Sequence, residues 1–122
     1  MRTRWIWVVC GGVLIGELVL GVWMAMFNGF IYGDAISRLA NAFYVLYSRD
    51  PHLAAIGFIW NPLPSLLTLP LLLFQPLFMP LSSSGLAVVI VSALFAAGTL
   101  WLLLRSSTQL TAEFRVSAII CS

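Results

Sequence analysis

The sequence predicts an all-α membrane protein with three transmembrane helices and an amphipathic interfacial helix in the first loop. Three observations carry this reading. Hydrophobic residues fill 61% of the 122 positions and charged residues only 8%, whereas soluble domains carry roughly 25% charged residues. Mean hydropathy is +1.04, and three apolar runs approach or exceed the ~20 residues that cross a bilayer core. Between the first two runs lies a shorter stretch whose apolar residues recur at helical spacing while its other side is polar. A chain so poor in polar surface cannot be a soluble enzyme, a disordered tail or a secreted disulfide scaffold.

The first element, residues 1–31, is a short basic start followed by an apolar run from Trp5 to Ile31. Arg2 and Arg4 resemble the positive end of a signal peptide. The run is too long for one, however, Glu17 interrupts it, and no small-x-small cleavage site precedes Asn28. It reads as an uncleaved helix.

Residues 32–60 form the expected extracytoplasmic loop. Within Gly33–Ser48, Ile36, Leu39, Ala40, Phe43, Leu46 and Tyr47 make an apolar side. Asp34, Ser37, Arg38, Asn41 and Ser48 fall in one sector at 100° per residue. This stretch is too short and too polar to span, and suits a helix lying in the interface, with Asp34 as its N-cap. Arg49-Asp50-Pro51 then reads as a turn.

Asn61-Pro62 has the form of a helix start. Residues 61–80 are read as the second transmembrane helix, kinked where Pro70 and Pro76 each remove a backbone donor. Such breaks persist in a membrane only where neighbours satisfy the freed carbonyls. A tight connection at 81–85 leads to a third span at 86–104, and residues 105–122 are a tail too mixed to cross.

Net charge is +2, from six arginines against Glu17, Asp34, Asp50 and Glu113. No basic cluster suits nucleic acid. Cys10 and Cys121 are too few for a disulfide framework. With three spans and a cytoplasmic N-terminus, Arg38, Arg49, Arg105 and Arg115 would all lie outside, against the usual arginine bias.

Asp34 is the leading candidate for chemistry. A carboxylate just past a membrane helix can orient an acceptor hydroxyl as a base or bind a divalent metal, or it can cap its helix and pair with Arg38. Arg38 and Arg49 suit the phosphate of a headgroup or a lipid-linked substrate, or serve as snorkelling anchors. His52 can carry protons or be plain loop polarity. Glu17, near mid-span, must face protein or water, which leaves a transport pathway as a weaker third reading. Trp5, Trp7, Trp23, Trp60 and Trp101 lie mostly near helix ends, as an interfacial belt requires. No metal-ligand spacing, phosphate loop or nucleophile–base motif is present.

The stretch from Gly33-Asp34-Ala35-Ile36-Ser37-Arg38 to Trp60-Asn61-Pro62-Leu63-Pro64-Ser65-Leu66-Leu67 resembles the N-terminal part of a GT-C class polytopic glycosyltransferase. That class uses polyprenyl-phosphate-linked sugars and includes protein mannosyltransferase and aminoarabinose transferase relatives. Asp34 occupies the place of the acidic residue that the class carries in its first extracytoplasmic loop, and Asn61-Pro62-Leu63-Pro64 is similar to the motif opening its next helix. Where members often show a second acidic residue beside the first, Ala35 stands here. The resemblance covers roughly residues 1–104. It implies transfer of a sugar from a lipid phosphate to an extracytoplasmic acceptor. Asp34 would activate the acceptor or bind a metal, and Arg38, Arg49 and His52 would lie at the substrate. The implied partners are membrane lipid, the lipid-phosphate-linked sugar and either missing helices or a partner subunit. The tail after Arg105 does not match a fourth helix of the class, so a truncated or frameshifted chain, inactive alone, is expected. The expected location is a bacterial inner (plasma) membrane with the N-terminus cytoplasmic. The alternative is a small non-catalytic membrane protein acting as a partner subunit.

Overall fold

The computed structural model describes residues 2–30, 33–56 and 62–120, with side chains over 4–30, 33–56 and 62–109. Trp60, the Asn61 cap and Cys121 lie outside the described residues, as do the side chains of Arg2, Glu113 and Arg115. Among the described residues five α-helices follow in chain order: α1 Arg2–Phe27, α2 Gly33–Tyr47, α3 Pro62–Leu72, α4 Pro80–Ser83 and α5 Leu86–Ile120. A 3-10 turn, Leu53–Ile56, lies between α2 and α3. No strand occurs among the described residues.

Two helices are long and apolar enough to cross a membrane, through Arg4–Phe27 and Leu86–Gln109, 24 residues each. Only 11% and 33% of their most apolar stretches are buried by the rest of the chain, whereas the core helix of a soluble protein would be mostly covered. The two run antiparallel. Trp7 meets Trp101 with ring centroids 6.1 Å apart, and Gly21 meets Val89 near the other end. Gly29, at φ 62°, reverses the chain after α1 so that Phe30 N–H reaches Met24 O at 3.2 Å. Gly85, at φ 70°, does the same before α5.

The run at 61–80, expected as a second span, is not a continuous helix. α3 has 11 residues, about 16 Å at 1.5 Å per residue, against a hydrocarbon core of about 30 Å. The reason is Pro76, which has no N–H for Leu72 O and whose ring crowds that carbonyl. The backbone turns to shorter-range bonds instead, Phe74 N to Leu71 O at 3.1 Å and Gln75 N to Leu72 O at 3.0 Å. Pro70, inside α3, is tolerated.

The third span, expected at 86–104, does not stop there. Nothing between Arg105 and Ile120 is proline or glycine, so the helix continues through the expected tail to Ile120.

Leu72 O receives a second bond from a neighbour, since the Tyr47 hydroxyl donates to it at 2.9 Å. Tyr47→Phe should destabilise the fold by about 1 kcal/mol, and Pro76→Ala, which returns an N–H toward that carbonyl, should remove most of the loss. Reversible unfolding in mixed micelles, followed by far-ultraviolet circular dichroism, reads both. Equal penalties in the Pro76 and Pro76→Ala backgrounds would contradict this role.

The core sits where the short helices meet the start of α5: Leu39 and Ala42 of α2, Leu72 of α3, Leu81 of α4, and Leu86, Ala87 and Val88 of α5. Ser65 and Thr68 are buried on the same side of α3 as Leu72, and Thr68 Oγ1 donates to Pro64 O at 2.7 Å. α1 joins through small residues. A Cβ placed on Gly21 would stand 2.5 Å from Val89 Cγ1, and a helical valine holds essentially one rotamer. Glycine to alanine inside a helix ordinarily stabilises by about 0.8–1 kcal/mol. Gly11→Ala, where nothing lies within 4 Å, should do so. Gly21→Ala should instead cost about 1–3 kcal/mol, a cost relieved by Val89→Ala. The same micelle titration reads the signs, and stabilisation by both alanines would refute close packing at Gly21.

Candidate functional site

α2 begins at Gly33, so Asp34 stands in its first turn rather than at the cap position. There its carboxylate meets the positive end of the helix dipole. Ser37 Oγ donates to Gly33 O at 3.1 Å, closing the same turn. Asp34 is exposed and takes part in no salt bridge among the described residues, Arg38 included. Arg38, one turn on, is half-buried.

Arg49 and His52 are not brought to Asp34. They follow the far end of α2, about 22 Å along the helix axis at 1.5 Å per residue. Both are exposed. His52 Nδ1 lies 2.6 Å from Asp50 O, and because a carbonyl only accepts, Nδ1 is the donor and carries the proton. The imidazole is thereby tied into its own turn. The four candidate residues form two separate pairs of positions, Asp34 with Arg38 and Arg49 with His52.

The polar side of α2 is not wholly given to water. Asn41 Nδ2 donates to Ile56 O at 3.2 Å and pins the 3-10 turn, and Ser48 Oγ is buried with no hydrogen-bond partner among the described residues. The apolar residues of α2 fall into two groups. Leu39, Ala42 and Val45 are buried against the protein, while Ile36, Tyr44 and Tyr47 remain 40–57% exposed. At 100° per residue these two groups occupy different arcs, centred roughly 160° apart. One arc packs on α3 and α5; in the other Ile36 and Tyr44 are bare, while Tyr47 reaches α3 through its hydroxyl.

Below Asp34, a cleft of about 260 Å³ opens between α1, the start of α2 and α5. Ala35, Gly85 and Val88 form its upper wall, and Glu17, Gly21 and Ser92 line it further along the spans. Glu17 is exposed on α1. Its presence in a cleft rather than a packed interface, and the company of Ser92, could not be read from spacing. Nor could the tie of Asn41 to Ile56 O, which depends on a turn 15 residues away.

Among the described residues no three His, Cys, Asp or Glu side chains come together. Asp34 is therefore in no such group, and a metal there would take its other ligands from water, substrate or further chain. Cys10 is buried in α1 as a free thiol.

No protein family, curated protein or solved structure matches this chain. The described residues are all-helical apart from turns, with two apolar helices long enough to cross a membrane, paired antiparallel and joined by a layer of short helices.

Proposed function

We propose that this chain is the N-terminal segment of a GT-C-like glycosyltransferase, moving a sugar from a polyprenyl-phosphate donor to an extracytoplasmic acceptor in company with further membrane helices. The observation that supports it is the setting of Asp34: exposed, free of a salt bridge among the described residues, in the first turn of α2 just beyond the end of α1. A carboxylate there can take a proton from an acceptor hydroxyl. Arg38, one turn away, can meet the donor phosphate as a planar cation, whereas Arg49 and His52 belong to a second contact further along the loop.

The two-span arrangement also bears on orientation. Arg2, Arg4, Arg105 and Arg115 fall on one side of the spans, and Arg38 and Arg49 on the other. Four arginines against two favour a cytoplasmic N-terminus. Asp34 then faces the extracytoplasmic side, where a polyprenyl-phosphate sugar would be used. A bacterial inner (plasma) membrane is the location this reading requires.

The direct test uses membrane vesicles from cells carrying the chain in its native genetic setting and from a deletion strain. Consumption of radiolabelled sugar from a polyprenyl-phosphate donor should disappear with the deletion and return on complementation. Equal consumption in both vesicle preparations would refute the reading.

A second reading, a non-catalytic partner subunit, is favoured by the bare flank of α1, where Val8, Ile15 and Val19 are 62–65% exposed. Under it, photo-crosslinking from Val19 recovers one defined partner and deletion leaves sugar transfer untouched.

A further inference from the structure

At the end of the hairpin away from Asp34, a second cleft of about 290 Å³ is lined by Ile6, Trp7, Trp101, Arg105, Thr108 and Gln109. The Arg105 guanidinium stands over the Trp101 ring, 5.1 Å from its centroid. Trp101 in turn is met by Trp7 of the opposite helix. The cation thus rests on one indole, itself packed against a second from the opposite helix, and among the described residues no carboxylate pairs with it. A guanidinium stacked by one face keeps its in-plane N–H groups free, in the fork geometry that fits a phosphate. Thr108 Oγ1 donates to Arg105 O at 2.7 Å, which fixes the turn of helix beneath the cation.

Trp101 also closes one end of a larger apolar groove, about 700 Å³, between α3 and α5. The groove runs from Ile90 to Leu102 along α5 and is flanked by Leu67, Pro70 and Leu71 of α3. That stretch of α5 is about 18 Å long at 1.5 Å per residue, close to the ~15 Å depth of one leaflet's hydrocarbon. A cationic cleft and an apolar groove of one-leaflet length meet at a single tryptophan.

We propose that this end of the hairpin is a binding site for one anionic phospholipid, its phosphate on Arg105 and an acyl chain in the α3–α5 groove. The charge decides the headgroup, since Arg105 lines this cleft and is exposed, and an interfacial arginine favours anionic over zwitterionic lipid. The groove decides that the ligand is a lipid rather than free phosphate. The site stands independently of the transferase reading, which concerns the opposite end.

The test is native mass spectrometry of the full chain released from micelles doped with equal phosphatidylglycerol and phosphatidylcholine. Wild type should retain phosphatidylglycerol over phosphatidylcholine by about fivefold, the ratio one interfacial arginine supplies. Arg105→Gln should bring the ratio to about one, and Ser106→Ala, an exposed neighbour outside the cleft, should leave it unchanged. Gly98 lines the groove, and a Cβ there meets nothing within 4 Å. Gly98→Leu should therefore fill the groove and lower total retained lipid without disturbing the helix. An unchanged ratio in Arg105→Gln would overturn the headgroup assignment. Displacement of the lipid by millimolar inorganic phosphate would overturn the lipid in favour of a bare phosphate site.

Discussion

Asp34→Asn abolishes sugar transfer in membranes that carry the active assembly, lowering the rate 10²–10⁴-fold, the usual contribution of a positioned general base. Asparagine matches the carboxylate in shape but takes no proton. The substitution sits on an exposed first-turn position with no salt bridge among the described residues, so membrane insertion and the amount of protein should not change. Loss of the dipole contact costs only about 0.3–1 kcal/mol of helix stability. Asp50→Asn is the matched control, because Asp50 is equally exposed but lies in the turn after α2, and it should keep the wild-type rate. A wild-type rate in Asp34→Asn would leave Asp34 as a helix-end charge and nothing more.

Glu17→Leu gives the largest change in membrane energetics, in the direction opposite to function. Glu17 lies near the middle of the Arg4–Phe27 span and is exposed. An acidic residue at such a depth costs on the order of 3 kcal/mol against a small gain for leucine. Translocon-mediated insertion of the α1 segment should improve by roughly that amount. Assembly with neighbouring helices should weaken, because the cleft that Glu17 shares with Gly21 and Ser92 loses its polar anchor. Glycosylation mapping of the isolated segment measures the first effect and crosslinking in native membranes the second. Unchanged insertion would place Glu17 outside the hydrocarbon and shift the register of α1.

The long apolar helices were open to a reader of the sequence because composition alone carries them: Trp5–Phe27 and Leu86–Leu104 hold almost nothing polar. Stopping the second of these at Leu104 followed bilayer length, which limits a span but not a helix, and without proline or glycine beyond Arg105 the helix runs on. The segment from Pro62 to Pro80 was harder. Its apolarity argues for a span, and its five prolines argue against a straight helix. The balance is settled by one carbonyl, Leu72 O, which Pro76 leaves without its usual donor and to which the hydroxyl of Tyr47, 25 positions earlier, donates.

Periodicity in α2 does not say what covers each side: Val45, which at 100° per residue falls between Asp34 and Arg38, is buried, while Ile36 and Tyr44 are left bare. Asp34 could be singled out by type and place. The distance that separates it from Arg49 and His52 needed the straight run of α2. The Arg105–Trp101–Trp7 stack was hidden because it joins residues nearly a hundred positions apart.

Two spans or three is the question on which orientation, site and partner contacts all depend, and cysteine accessibility in intact cells answers it. Single cysteines at Asp34, Asp50 and Gln109, in a background with Cys10 and Cys121 replaced, are challenged with a membrane-impermeant maleimide. The two-span hairpin predicts labelling from outside at 34 and 50 and protection at 109 until the membrane is opened. Labelling at 34, 50 and 109 together would mean that residues 61–80 cross the bilayer after all, and the paired α1–α5 hairpin would have to be abandoned.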